Sequence, residues 1–351
     1  MGKEASSVIS SAPAKIILFG EHGVNRQQPA LSTAVDLRTY CRVTRREDSC
    51  YRFRANGQEE QGELAHVHAF KKTIDDLRAA NALDQIREQA RDFFAPARYV
   101  LAHLLGHLST PAGELGVDVE WHSALPIGSG LGSGAAASTS MVQAVCAVAG
   151  KAATPPEIIQ AAWQGDIIAH GGVASSLDSS TATYGGLLRY SVAAGAELLP
   201  FDASLTIVVG DTLVQHNTAA LNTHVRRWLE EQPVRMHHFR DMGWLVRQAV
   251  VALQDHDTAT LGHLMNLHQL IQEKLGTSVP QAEALIAAAL EAGALGAKIS
   301  GSGGGGVIIA LVEPAQRDAV AEAINQAGGR SYPVTTGTEG VRLEPATAWA
   351  D

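Results

Sequence analysis

PIGSGLGSGAAASTSMVQAVCAV, Pro126–Val148, is the stretch whose reading decides the fold. Its first half is a bend of glycines and hydroxyls: Gly128, Ser129, Gly130, Gly132, Ser133 and Gly134, with Leu131 between them. Glycine lets the backbone turn sharply and approach a ligand without a Cβ in the way. From Ala135 onward small and apolar residues predominate, which predicts a largely buried helix beginning at the loop. A helix N-terminus offers free N–H groups and the positive end of a dipole, and together these hold an anion. Loop amides extend the donor surface, so a phosphate tail fits there. The same residues also suit a flexible loop before a core helix. The dinucleotide fingerprint lacks its supporting early βαβ half, and the Lys-Ser or Lys-Thr ending of the P-loop is missing.

Composition narrows the alternatives. A chain of 351 residues has room for two domains. The apolar share of 46% with only 5% aromatics suits a soluble, aliphatic-cored protein. A net charge of -9, from 27 basic and 36 acidic residues, argues against a general nucleic-acid binder. Cys41, Cys50 and Cys146 lack metal-site spacing, and an odd, sparse set points to a reducing compartment. No signal peptide or membrane-length apolar run is evident, so the expected location is cytoplasmic.

Outward from the loop, the chain divides into short elements. Val8–Ile9 and Lys15–Phe19 read as separate short strands, followed by GEHGVN, Gly20–Asn25. Glu21 and His22 thus sit just past a buried strand, a common place for functional groups, although they also suit a plain turn. Ala34–Thr44 reads as a strand, and most of Arg38, Arg42, Arg45 and Arg46 are expected to be solvated or in surface pairs. His66–Leu108 is mainly helical, and its His103/His107 pair lacks the acid of a zinc protease motif. Leu115–Trp121 is a strand feeding the glycine loop. Ile158–Ala169 is a second helix carrying Asp166, and His170–Gly186 places Asp178 among small and hydroxylic residues. That last segment suits either a ligand-binding loop or a serine-rich turn. Gly195–Asp202 is the expected seam between an N-terminal domain, 1–195, and a C-terminal one, 196–351. Four helices, Thr218–Glu231, Met236–Leu253, Thr258–Glu273 and Pro280–Glu291, precede a second glycine run, Gly301–Gly306. Tyr332–Val334 and Val341–Leu343 are expected to close a small antiparallel sheet with the strands around that run.

Three separated stretches point to one family. PAKIILFGEH (Pro13–His22), PIGSGLGSGAA (Pro126–Ala136) and KISGSGGGG (Lys298–Gly306) resemble, in order, the three motifs of the GHMP small-molecule kinases. Within that family the chain is most similar to the mevalonate-kinase branch. GHLMNLHQLIQEKLGTSVP (Gly262–Pro280) and ASSLDSSTATYGG (Ala174–Gly186) resemble segments of its archaeal-type members. The resemblance implies an α/β N-terminal domain of the ribosomal-protein-S5-like type and a ferredoxin-like α+β C-terminal domain, with ATP and acceptor meeting between them.

It further implies ATP-dependent phosphorylation of the 5-hydroxyl of mevalonate, with Mg2+ as cofactor. Asp178 matches the family base, and Lys15 the lysine placed beside it. Asp166 stands where relatives often carry a magnesium-binding glutamate, and Ser133 adds a hydroxyl for phosphate or metal. Gly128, Ser129, Gly130, Leu131, Gly132, Ser133, Gly134 and Ala135 match the phosphate loop. Glu21, His22, Gly301, Ser302 and Gly303 match the acceptor end. The implied partner is a small alcohol, with no nucleic acid or membrane, and a homodimer is compatible. Gly134 departs from a family serine that binds magnesium, and Asn25, Arg26 and Gln27 depart from an apolar and aromatic patch. Phosphomevalonate kinase is the nearest rival, with Arg26, Arg38 or Arg189 as the extra cation. A mevalonate 3-kinase, a related sugar kinase and a non-catalytic ATP sensor are further rivals.

Overall fold

The computed structural model describes residues 7–108, 115–125, 130–201, 203–215 and 218–349. Its first strand, β1 (Ser7–Phe19), is one continuous element and not two short ones. Pairing decides this. β1 lies antiparallel to β2 (Ala30–Arg46) along its whole length, with a register shift between Pro13 and Ala14 that absorbs the proline. Ser10 and Ser11, which suggested a break, are buried and bonded: Ser10 Oγ donates to the Ser140 carbonyl and Ser11 Oγ to Glu344.

β3 (Cys50–Ala55) and β4 (Gln58–Glu63) form a hairpin through the left-handed Asn56 and Gly57. Three helices follow, α1 (Leu64–Ala79), α2 (Leu83–Gln89) and α3 (Ala95–Leu105), the last with Pro96 in its first turn. β5 (Gly116–Ser123) returns beside β2 and runs parallel to β3. The glycine stretch then opens α4 (Ser133–Val148), which packs on β1 and β2. Its neighbour α5 (Pro155–Ala169) starts at a capping box, in which the backbone N–H of Thr154 donates to Glu157 at 2.8 Å. The two helices approach closely because one contact is glycine to serine. A Cβ on Gly165 would lie 2.4 Å from Ser138 Oγ.

α6 (Leu177–Tyr184) leads into β6 (Leu187–Ser191) and β7 (Gly195–Leu199). β7 pairs with β6, so most of the expected seam is an edge strand of the first sheet, and the chain leaves that sheet only after Leu199. The second sheet holds β8 (Thr206–Asp211), β9 (Gly296–Ser300), β10 (Val307–Val312) and β11 (Arg330–Thr335), in the order β11-β8-β10-β9. All its pairings are antiparallel, the ferredoxin-like arrangement. Between β8 and β9 run α7 (Thr218–Glu231), α8 (Met236–Gln254), α9 (Thr258–Lys274) and α10 (Pro280–Glu291). α11 (Arg317–Gln326) and α10 cover the outer face of the sheet with Leu285, Ala289, Val320 and Ile324.

The last strand departs from expectation. β12 (Arg342–Glu344) pairs with β1 in the eight-stranded first sheet, not with its sequence neighbours in the second. Arg38 holds it there. Its guanidinium donates to the Glu339 carbonyl at 2.8 Å, the Gly340 carbonyl at 2.7 Å and Ser11 Oγ at 2.7 Å. Arg38 is therefore buried, not solvated, because it satisfies several carbonyls of the returning chain at once. A single apolar core spans both sheets: Ile16, Leu18 and Leu31 pack with Phe239, Met242, Leu264, Val307 and Ile309. That continuity fixes the relative placement of β1, α4 and the β9–β10 loop, which together form the site.

Candidate active site

The site forms where β1, α4, α6 and the β9–β10 loop converge. Lys15 enters it from the middle of β1. Its backbone N–H donates to the Leu131 carbonyl at 2.9 Å, and its Nζ lies 3.2 Å from the Gly130 carbonyl. The glycine loop therefore wraps around this lysine. Gly132 has φ +77° and caps α4, and a Cβ there would meet Lys15 Cγ at 2.8 Å. No other residue fits at that point without pushing the lysine aside.

The N-cap of α4 is Gly132, and among the described residues no side-chain cap is formed there. The amides of the first turn are the groups that would meet an anion. Ser133 and Gly134 are the first helical residues, and Ala135 and Ala136 are buried behind them. Gly134 has an ordinary helical backbone and open space where a Cβ would point. Of the phosphate-loop residues, Gly128 and Ser129 lie outside the described residues.

Asp178 stands in the first turn of α6, 3.1 Å through Oδ2 from Lys15 Nζ. The lysine side chain is 5% exposed and the aspartate 25%, so the pair has one open side. α6 is pinned by hydroxyls: Thr181 Oγ1 lies 2.7 Å from Ser32 Oγ on β2 and donates to the Leu177 carbonyl at 2.8 Å. The serine- and threonine-rich segment is thus a short helix, and its hydroxyls are mostly inward anchors.

Asp166, on α5, is buried behind this pair. Desolvation and then the neighbouring Asp178 push its carboxyl well above the usual carboxylate range, against opposing contributions from Lys15 and Ser179 hydrogen bonds. Among the described residues its Oδ2 has no hydrogen-bond partner. An orphaned, buried carboxylate oxygen beside a second carboxylate calls for a cation, and oxygen donors of this kind suit Mg2+. The donor set present therefore fits that ion.

The residues expected at the acceptor end divide sharply. His22 has φ +59° and is buried, with Nε2 2.9 Å from the Ser302 carbonyl. Burial pushes its pKa down to about 4, so the ring is neutral near pH 7. Arg26 donates to the His22 carbonyl at 2.8 Å and lies over the Phe239 ring at 4.4 Å. Gly301 and Gly303 both have positive φ, and a Cβ on Gly301 would lie 4.0 Å from the Gly130 carbonyl. A Cβ on Gly303 would strike the Thr277 carbonyl at 2.2 Å.

Glu21 behaves differently. It is 1% exposed and bound to Lys298 Nζ on β9, with Oε2 3.4 Å from His268 Nε2 on α9. That imidazole nitrogen accepts the Gly20 N–H at 3.1 Å. Glu21 is thus taken up by a buried contact between the two sheets, which the sequence reading did not foresee. Lys298 and His268 stood inside quoted motifs without an assigned role. The usable signal was a lysine in the otherwise apolar strand GAKIS. Ser300 completes this seam, accepting the Ile17 N–H at 2.9 Å and donating to the Ile17 carbonyl at 3.1 Å.

Comparison with known proteins agrees with this arrangement. Residues 97–186 match the family model for the GHMP kinases N terminal domain, and residues 249–330 that for GHMP kinases C terminal. A mevalonate kinase of Thermococcus sibiricus is 35% identical over 346 residues, covering 96% of this chain and 98% of its own. One of Pyrococcus horikoshii is 34% identical over 345 residues, with the same coverage. Among solved structures, L. major mevalonate kinase in complex with R-mevalonate superposes with a TM-score of 0.75 at 25% identity, covering 96% and 98% of the two chains. Methanococcus jannaschii mevalonate kinase gives 0.79 at 21%, covering 96% and 100%. Lactococcus lactis galactokinase gives 0.75 at 16%, covering 96% and 95%, so the fold alone does not select the acceptor. Near full-length identity to the Thermococcus protein, both family models and the shared architecture lead to one conclusion: this chain belongs to the GHMP kinase family and is an ATP-dependent kinase of a small-molecule alcohol.

Proposed function

We propose that the protein phosphorylates the 5-hydroxyl of mevalonate, using ATP. The observation that carries this reading is the half-open Lys15–Asp178 pair set against the uncapped start of α4. The acceptor class follows from the full-length relatives, which are named mevalonate kinases.

Asp178 is the base in this reading. Its carboxylate takes the proton of the acceptor hydroxyl as the new O–P bond forms and the bond between the γ-phosphorus and its bridging oxygen breaks, leaving ADP. Lys15 pairs with that carboxylate at 3.1 Å and faces the reacting oxygens with positive charge. The α4 amides, with Ser133, hold phosphate oxygens. Asp166 and Ser133 would hold Mg2+, whose chemistry when bound is to neutralise phosphate charge. Neutral His22 hydrogen-bonds the acceptor, and the Gly301–Ser302–Gly303 turn closes over it. The free thiols of Cys41, Cys50 and Cys146 are consistent with a reducing, cytoplasmic setting. Among the described residues, no helix is long and apolar enough to cross a membrane.

Two of the three arginines that would favour a phosphorylated acceptor are engaged elsewhere. Arg38 binds the returning C-terminal segment, and Arg189 binds Glu197 at the surface. A panel of mevalonate, 5-phosphomevalonate, homoserine and galactose, each with ATP and Mg2+, tests the assignment by ADP release and product mass. Turnover of mevalonate to a 5-phosphate is expected. Exclusive transfer to any other panel member rejects it.

A further inference from the structure

We infer a second metal site, for a transition-metal dication, on the first two turns of α8. His237, His238 and Asp241 each bring one ligand atom within 4.8 Å of the others. Among the described residues this is the group of three such side chains that converges. The helix supplies the geometry: His237 and Asp241 stand four residues apart and His238 and Asp241 three, so the carboxylate lies on the same face as both rings. The two rings lie 3.9 Å apart between centroids, at 42°.

A second observation points to a ligand. His237 Nδ1 lies 2.9 Å from the Val234 carbonyl. A carbonyl only accepts, so Nδ1 carries the proton and Nε2 keeps its lone pair. Metal-binding histidines are held in this way, with the other ring nitrogen donating to a backbone carbonyl or carboxylate. The His238 ring is itself positioned against Trp228, at 5.7 Å, on α7. A tetrahedral site with bonds of about 2.1 Å has ligand atoms ~3.4 Å apart. Torsion of exposed side chains covers the remaining distance, since His237 and Asp241 are exposed and only His238 is half-buried.

Donor chemistry selects the ion. Two imidazoles and one carboxylate suit Zn2+, Co2+, Ni2+ or Cu2+, with water completing the shell, and not Mg2+, which takes oxygen ligands. The negative charge of Asp241 offsets the nearby Arg235 and Lys274. The contrast with His103 and His107 is informative: their rings are 4.7 Å apart, yet among the described residues no third ligand converges on them. The site adjoins Phe239, whose ring carries Arg26 and, through it, the His22 carbonyl. An ion there ties down the turn of α8 that supports this loop.

Titration of the EDTA-treated full-length protein with Co2+, without nucleotide, tests the site through its visible d–d bands, with Zn2+ as competitor. One equivalent is expected to bind. His238→Ala, His237→Ala and Asp241→Asn should each weaken binding by at least the roughly 10-fold that loss of a supporting partner costs. These variants should keep the metal-free melting temperature of the parent. Asp166→Asn and His103→Ala should leave the bands unchanged. Equal Co2+ affinity in the parent and the three α8 variants, loss of the bands only in Asp166→Asn or His103→Ala, or no binding below millimolar Co2+ would each overturn the assignment.

Discussion

Two lysines in this protein each face a carboxylate, and the pairs do opposite work. Lys15 meets Asp178 beside the glycine loop, and Lys298 meets Glu21 between the two sheets. Both lysines are buried; the difference lies in the acids. Asp178 is 25% exposed and Glu21 only 1%. A substrate hydroxyl can reach the first carboxylate but not the second. Breaking a fully buried ion pair strands a charge without water, whereas a pair open on one side retains solvent on its acid. In the proposed function one lysine–acid pair therefore serves chemistry at the middle of β1, while the other serves architecture just past its C-terminal end.

The sharpest test is Asp178→Asn. The expected loss in kcat is about 10²–10⁴-fold, the usual effect of removing a positioned base, with an unchanged melting curve and ATP affinity. Near-parental turnover would remove Asp178 from the base role and erase the contrast. Lys298→Met should do the reverse, lowering stability by ~3–5 kcal/mol in denaturant titration because the buried Glu21 carboxyl loses its ion-pair partner. The double variant Glu21→Gln/Lys298→Met should recover part of that loss. An unaltered midpoint together with abolished turnover would show that the buried pair belongs to the chemistry.

His22 gives a pH signature on the buried side of the comparison. Its folded pKa, about 4, lies below the ordinary histidine value of 6.5, so the unfolded chain binds the extra proton between those values. Stability from this group is complete above pH 6.5 and is lost as pH falls toward 4, by at most ~3 kcal/mol. His22→Asn, whose side chain tolerates the left-handed backbone, should flatten the stability slope in that window. An identical slope in parent and variant would show that His22 does not titrate as a buried neutral ring.

The smallest expected effect is that of Gly134→Ser. The helical backbone and open Cβ direction remove strain as an outcome, so the added hydroxyl is free to act as a metal ligand. Initial rates at saturating ATP should reach half-maximum at a modestly lower magnesium concentration, with unchanged melting. A higher magnesium requirement would place the hydroxyl outside the metal shell.

Much of the site was legible because its chemistry is local. Glycines at Gly130, Gly132, Gly301 and Gly303 mark backbone turns; all four have positive φ, and a Cβ on Gly132 or Gly303 would crowd a neighbour. The buried acid on α5 and the acid at the start of α6 stood out by type among small residues. Hydroxyl density misled in one respect, since Ser10 and Ser11 read as a break in β1. Cross-strand pairing overrides such local preference, because the ladder satisfies the backbone and the side chains find buried acceptors.

The sequence by itself determined most of the order of elements and the two glycine loops, and its resemblance to the family singled out Lys15, Asp166 and Asp178 as candidates. The loops depend on spacing within a few residues, where backbone sterics act. Tertiary structure alone decided which acids stay open. It took Glu21 into a pair with Lys298 across 277 residues of chain, and it returned β12 to β1 under the grip of Arg38. It also left one oxygen of Asp166 without a partner among the described residues. Burial and long-range pairing are properties of the packed chain. No window of neighbouring residues contains the other half of the contact, so only the fold can assign it.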